Sequence, residues 1–567
     1  MLRDVVGAFL DTVTEREFDA PLLALLAARG FTDVHFLHGA FEFGKDVIAK
    51  GPKPLHGDVG SGDPASWTLH QFALQSKAGD MGAPGWREVR PQLDEARLDG
   101  LGHPAFDVNL PRAGVLVVTG RLKGAASTQA QSYREQELRW GRPDFEIWDR
   151  ERLLEWLIEA PEVGLAGISD GPMLSLAGAI DDGTVTLSAL ERHSRSWLPP
   201  VQDTLTAATT PRQEVTARQR RAAVEAAVLV NGLRRYGRLD LASMTALMLL
   251  RASWCHALNA AASTDPIPRP EQAAAAIRLF VGCASELLDQ VEPVAADPRA
   301  LLARTVGSPL GHVLYPVACA RLVEILGLLG LLTGNTSGPC GRNDLLPPPD
   351  RVYDTVATLL RYQPGCSHPI ADSFAVSLIA PTLLVAGRDA SVARTFLERT
   401  AVWIADRYDG TRSGIGLAAT GADPRAEIDQ LLGGPYEHGP QRRPGSYLAT
   451  VVTDLATLVP GDDSFYQDVI NEFLAVDIFA QLRIADEHRA QWRPDGAGVR
   501  FITQVPYRDS AGSMEPVSAH HDNVSQPVSP WDAVALASVV RDRHVVPALR
   551  AALTESLAGP SDVSESA

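Results

Sequence analysis

Three polar residues in apolar surroundings could do chemistry in this chain: Asp46, Gln75 and Lys77. Asp46 stands where the mixed Phe41 to Lys45 segment gives way to the apolar run Val47 to Ala49, and Gln75 and Lys77 lie in TLHQFALQSKAGD. Both segments are rich in Val, Ile, Phe and Leu and are joined by the turn-forming GPKPLHGDVGSGDPASW, so they are expected to form adjacent strands. Side chains alternate along a strand, which puts Ala73, Gln75 and Lys77 on one face and Phe72, Leu74 and Ser76 on the other. Pairing of the two strands would then bring Asp46, Gln75 and Lys77 together. A carboxylate, an amide and a carbonyl suit a hard cation such as Mg²⁺ or Mn²⁺, while an ammonium stabilises an attacking hydroxide or the charge of a phosphorane. The expected metal shell is Asp46, Gln75 and Ser76, the last through a carbonyl, with Lys77 as the electrostatic group.

The order Asp…Gln-x-Lys resembles the PD-(D/E)xK nuclease superfamily, and within it the Mrr-like restriction endonucleases, where the second acidic position is commonly Gln. EFDAPLLALLAARGF looks like that family's first helix, with Asp19 standing where the family more often has Glu. GVLVVTGRLKGAASTQAQSYRE and FEIWDRERLLEWL resemble its later strand, helix, strand and helix, including the Thr-Gly after the strand. The resemblance covers roughly residues 15 to 160. It implies a restriction-endonuclease-like α/β domain with a mixed sheet flanked by helices, a Mg²⁺ or Mn²⁺ cofactor, DNA as substrate, and restriction or antiviral defence as the setting. It also implies Asp19 as a fourth site residue. Read from its neighbours alone, Asp19 with Pro21 two positions on is an N-cap ahead of a first-turn proline, and both roles can hold.

The elements that must position these residues follow in order. A helix is expected from Asp19 to Arg29, another from about Pro91 to Gly100, a doubly covered strand at Val115 to Val118, a helix over Gly124 to Arg139, a short strand at Phe145 to Trp148, and a helix capped by Asp149 that ends near Glu159. The chain has five lysines, Lys45, Lys50, Lys53, Lys77 and Lys123, all before residue 124. That placement favours a role for Lys77, against the alternative of an edge-strand lysine that blunts sheet pairing. Gly39 to Lys45 fits GxxxxGK, but Asp46 follows where a phosphate loop needs Ser or Thr, so nucleotide binding is not expected.

At 567 residues the chain exceeds one core, and 45% hydrophobic with 21% charged residues is an ordinary folded composition. A net charge of −17 argues against a general nucleic-acid coat, and residues 1 to 165 are themselves acidic, with 18 basic against 25 acidic side chains. The expected division is a nuclease domain over 1–165, a linker over 166–219 with one short helix near Ser188 to Ser194, a helical sensor or scaffold region over 220–557, and a disordered tail over 558–567. Apolar residues at three- and four-residue spacing predict helices in that region over Arg220 to Tyr236, Ala242 to Ala262, Glu271 to Val291, His312 to Thr333, Val352 to Tyr362, Ser373 to Ala386, Ala390 to Asp409, Gly445 to Val459 and Phe465 to His488, with a final one over about Trp531 to Leu557. The helical region is the expected site of a protein partner or a homo-oligomer contact. Five widely spaced cysteines without CxxC, and no secretory signal, point to a reducing cytoplasm. The most membrane-like stretch, Val313 to Leu332, carries Arg321 and Glu324 and reads as a core helix, so no membrane is expected. The pair His520 and His521 and the triplet Cys366-Ser-His368 carry no third group that would make them sites. The competing overall reading is a non-catalytic interaction protein that keeps a nuclease-like fold.

Overall fold

The computed structural model describes residues 2–37, 45–54, 67–96, 104–141, 144–159, 171–199, 212–260, 271–303, 311–333, 346–411, 416–417, 445–457, 459, 463–485, 499–505 and 507. The final helix expected near Trp531 to Leu557, the tail, the His520–His521 pair, Cys340 and most of the Gly39 to Lys45 segment lie outside them. The chain divides into two compact units, one of Met1–Asp182 with Arg212–Gly232, the other of Gly183–Pro211 with Leu233–Ala567.

The first unit is built on a mixed five-stranded sheet in the order β1 (Thr32–Phe36), β2 (Val47–Pro54), β3 (Trp67–Lys77), β4 (Arg112–Val118) and β5 (Asp144–Trp148). β1, β2 and β3 are antiparallel neighbours, while β3, β4 and β5 run parallel. Parallel neighbours need crossovers, supplied by α3 (Ala83–Glu95) and α4 (Ala125–Arg139). Their Trp86, Val89, Leu93, Ala126, Ala130 and Tyr133 form one core with Leu116, Val118 and Phe145 of the sheet. The opposite face carries Phe72 and Trp148, which meet Phe31, and Trp148 packs edge-on against Trp156 of α5 (Arg150–Glu159). Each large aromatic buried this way contributes about 1.5–3 kcal/mol. Also buried in the first unit is an ion pair, Lys53 to Glu146 at 2.5 Å, with the Trp148 indole donating to the same carboxylate at 2.8 Å.

Two expected boundaries differ. The helix expected from Pro91 to Gly100 is observed as Ala83–Glu95, because Pro84 fits the first turn and the buried side chains Trp86, Val89 and Leu93 recur at helical spacing. Asp19 is not an N-cap: α2 spans Glu15–Ala28, and Thr14 holds the cap position. The Glu17 carboxylate accepts from the Thr14 N–H at 3.0 Å and from its hydroxyl at 2.7 Å. Burial pushes the Glu17 carboxyl up, but those Thr14 bonds and the Arg220 guanidinium outweigh it and hold it below its ordinary value. The first unit thus takes in chain beyond the 1–165 span, and the expected linker holds α6 (Gly171–Asp181), α7 (Leu187–Ser194) and the start of α8 (Arg212–Arg235).

The second unit is mainly helical, with α9 (Leu239–Ala260), α10 (Glu271–Val291), α11 (Pro298–Ala303), α12 (Gly311–Thr333), α13 (Pro349–Tyr362), α14 (Ala375–Ala386), α15 (Ala390–Tyr408), α16 (Tyr447–Ala456) and α17 (Asp463–Ala475). The helix expected from Phe465 to His488 ends at Ala475 instead. Asp477 follows at φ 56°, and the chain re-emerges as β7 (Phe479–Ala485), flanked by β6 (Gly445–Ser446) and β8 (Val499–Val505). α12 is long and apolar enough to cross a membrane, and 78% of that window is buried within the fold. It lies against α14 at two glycines: a Cβ on Gly327 would stand 2.8 Å from the Pro381 nitrogen.

Backbone cannot yield as a flexible side chain can, so Gly327→Ala is expected to cost about 1–3 kcal/mol as an overpacking change. Gly178, inside α6 with nothing within 4 Å of its would-be Cβ, should respond oppositely. Gly178→Ala is expected to stabilise by up to about 1 kcal/mol through helix propensity and unfolded-state entropy. Denaturant midpoints of the two variants against the parent check both signs.

Candidate functional site

β2 and β3 pair with Val47 opposite Leu74 and Ile48 opposite Ala73, so the next position of the same register sets Asp46 opposite Gln75. The contact follows: Asp46 Oδ2 accepts from Gln75 Nε2 at 2.6 Å and from the Ser76 N–H at 2.7 Å. The Asp46 N–H in turn donates to the Leu74 carbonyl at 2.9 Å. Lys77 O accepts from Thr119 N at 3.1 Å, on the β4 side. Alternation then turns the Ser76 N–H and carbonyl toward β2, where Asp46 lies. The Ser76 hydroxyl faces the other side of the sheet and is buried with no hydrogen-bond partner among the described residues, so any ligand Ser76 offers at this site is its main-chain carbonyl.

Lys77 reaches the same end of the sheet and pairs through Nζ with Glu15 Oε1 at 2.9 Å. Glu15 is in the first turn of α2, one turn before Asp19 and on the same helix face. Glu15 is the site residue that sequence reading missed. Its signal was present in Thr14-Glu15-Arg16-Glu17, the S/T-x-x-E capping pattern that starts a helix four residues ahead of Asp19. Asp19 is half-buried on α2 and takes part in neither the Asp46 nor the Lys77 contact.

The other lysines have structural partners. Lys50 pairs with Asp33 at 2.8 Å, Lys53 with Glu146, and Lys123 with Asp80, while the buried Lys45 ammonium lies 5.6 Å from the Phe106 ring centre. Their placement before residue 124 therefore reflects the ion pairs of this unit as much as the site.

The loops after β3 and β4 are stitched together and fix the exit of Lys77. Thr119 Oγ1 accepts from Gly79 N at 2.8 Å, Met81 N donates to Arg121 O at 2.9 Å, and Arg121 N donates to Asp80 Oδ1 at 2.8 Å. A Cβ on Gly120 would stand 2.3 Å from the Gly79 carbonyl carbon, so the Thr119-Gly120 pair combines a clamp with an approach that only glycine permits.

Burial pushes the Asp46 carboxyl above its ordinary value and the nearby Glu15 charge adds to that, against the Ser76 N–H, the Lys77 charge and Gln75, which pull it down. Both of its hydrogen bonds go to Oδ2, and among the described residues Oδ1 accepts none. A partly buried carboxylate with one open oxygen, beside an amide and a main-chain carbonyl turned the same way, fits a hard divalent cation by donor chemistry. Among the described residues no group of three His, Cys, Asp or Glu side chains gathers to hold a metal, here or elsewhere. Comparison with protein-family models, with curated proteins and with solved structures returns no match.

The direction of the Asp46 shift fixes a sign. A carboxyl raised in the fold favours folding below its ordinary pKa of about 3.9 and loses that advantage as pH rises through the raised value. An amide at position 46 can keep both accepted hydrogen bonds without carrying charge. Asp46→Asn is therefore expected to melt at or above the parent temperature at pH 7 in metal-free buffer, with the difference closing toward pH 4. Thermal scans over that range check it, and a variant that melts lower at pH 7 would mark Asp46 as a purely structural anion.

Proposed function

We propose that the first unit is a metal-dependent phosphodiester hydrolase acting on DNA, with Asp46, Gln75 and the Ser76 carbonyl as cation ligands and Lys77 as the electrostatic residue. The observation that carries this reading is the meeting of Asp46, Gln75 and the Ser76 main chain at 2.6–2.7 Å, with Lys77 emerging two residues after Gln75 on the same face. The residues also follow the Asp…Gln-x-Lys order of the Mrr-like enzymes that the sequence resembles, and restriction of foreign DNA is the corresponding setting.

Asp46 and Gln75, with the Ser76 main-chain carbonyl, would hold the cation, the Gln75 amide turning to offer its carbonyl oxygen. Such a cation would supply Lewis acidity toward a phosphate and a water of lowered pKa. Lys77 leaves Glu15 for a non-bridging phosphate oxygen. The exchange is inexpensive, since the pair is part-exposed and such contacts are worth about 1 kcal/mol or less. Glu15 orients the ammonium before substrate arrives. The helical unit governs access or partner choice, and the acidic balance of the chain leaves metal and local contacts to hold the DNA.

One observation favours a second reading, an interaction protein that keeps the fold without the chemistry: Asp46 and Lys77 each already have partners inside the chain. The two readings separate experimentally. The hydrolase is expected to nick or cut duplex DNA with Mg²⁺ or Mn²⁺ and to stop in EDTA. Lys77→Ala and Asp46→Ala should each lose at least about a hundredfold in rate. Lys77→Arg should also fail, because a planar guanidinium does not take the place of a point charge. Gln75→Glu is expected to retain activity. Metal should raise the melting temperature of the parent and not of Asp46→Asn; a parent indifferent to metal and inert on DNA would favour the interaction protein.

A further inference from the structure

The second unit holds a buried pair of thiols that the proposed hydrolysis does not use. Tyr315 and Cys319 stand one turn apart on α12, and the 3₁₀ turn Pro364–Ser367 crosses that face. The approach is close enough that a Cβ on Gly365 would lie 2.9 Å from Cys319 Sγ and 2.9 Å from the Tyr315 ring. Cys366 follows directly on that turn, so the crossing brings the two cysteines together. The turn is fixed on both sides. Tyr315 donates to Gln363 Oε1 at 2.8 Å, and Gln363 Nε2 donates to the Ala295 carbonyl at 2.8 Å. Cys319 and Cys366 are 1% and 2% exposed. His368, which with Cys366 looks in sequence like half of a thiol–imidazole pair, is instead stacked on Trp403 at 4.3 Å.

We infer that Cys319 and Cys366 are a peroxide-oxidisable dithiol that closes to a disulfide tying α12 to the turn between α13 and α14. The two sulfurs are not equivalent. The Cys366 thiol beside it holds Cys319 below the ordinary thiol value against burial, whereas burial pushes Cys366 well up. Cys319 is therefore the attacking thiolate and Cys366 the resolving thiol. The Cys319 sulfur attacks the O–O bond of hydrogen peroxide, forming a sulfenic acid and releasing hydroxide. The Cys366 sulfur then attacks the sulfenic sulfur, the S–S bond forms, and the hydroxyl leaves as water with the Cys366 proton. Two electrons pass from the thiol pair to one peroxide. Burial of both sulfurs selects a small neutral oxidant over a bulky disulfide such as oxidised glutathione.

The test uses the full chain, with thiols counted under denaturation before and after hydrogen peroxide and the non-reduced protein mapped by trypsin and mass spectrometry. The free-thiol count is expected to fall by two from five. A single crosslink should join the peptide ending at Arg321 to the one ending at Arg388, and oxidised glutathione should leave it unformed. In Cys366→Ser, a β-diketone reagent should trap sulfenic acid at Cys319, while Cys319→Ser should leave Cys366 unmodified. All five thiols surviving, a crosslink through Cys255, Cys283 or Cys340, or a link between two chains would each overturn the inference. If a variant fails to fold, the peptide map of the parent protein decides alone.

Discussion

The pairing register of β2 with β3 underlies everything assigned to the first unit. Because side chains on a strand have a period of two, a slip of one residue would set Asp46 opposite Leu74 or Ser76, on the face away from Gln75 and Lys77. The register is held by burial on both faces: Val47, Ile48 and Ala49 are completely enclosed, as are Val115 to Val118 on β4. With both faces filled, no alternative pairing keeps the apolar side chains out of water. The carboxylate of Asp46 occupies the first position beyond the ladder, where the Ser76 N–H would otherwise lack a strand partner. Asp46 thus ends the β2–β3 ladder and places a carboxylate at the same point.

That position explains the electrostatics. Burial outweighs the bonds that favour the charge of Asp46, and both hydrogen bonds it accepts among the described residues go to Oδ2. Glu15 works on both partners, pairing with Lys77 while its own charge disfavours the ionised Asp46. The arrangement costs the protein some stability where Asp46 is ionised.

Much of this was legible in the sequence. The strands follow from apolar runs bounded by turn residues, and alternation along β3 sets Gln75 and Lys77 on one face. Several helices of the second unit were read to within a residue or two because their apolar positions repeat over many turns. Other features are local exceptions to pattern. Pro91 and Pro21 were read as marks of helix starts, yet each lies inside a helix whose true start is set by Pro84 or by the Thr14–Glu17 bonds. Asp477 turns the chain at a backbone angle unusual for a residue other than glycine, so the strand after α17 was read as more helix. The nearness of Cys319 to Cys366 depends on Gly365 and the crossing of two elements, which no spacing rule encodes.

The distribution of lysine has a practical side. Every lysine in the chain belongs to the sheet-bearing unit, and the helical unit draws its positive charge from arginine. An acylating dye, an amine-directed crosslinker or an acetyl-transfer reagent would therefore mark one unit and leave the other blank. Within the labelled unit, the enclosed Lys45 and Lys53 would be shielded while Lys123, on the surface, would react first. The chain carries its own two-part chemical map, written in the choice between an amine and a guanidinium.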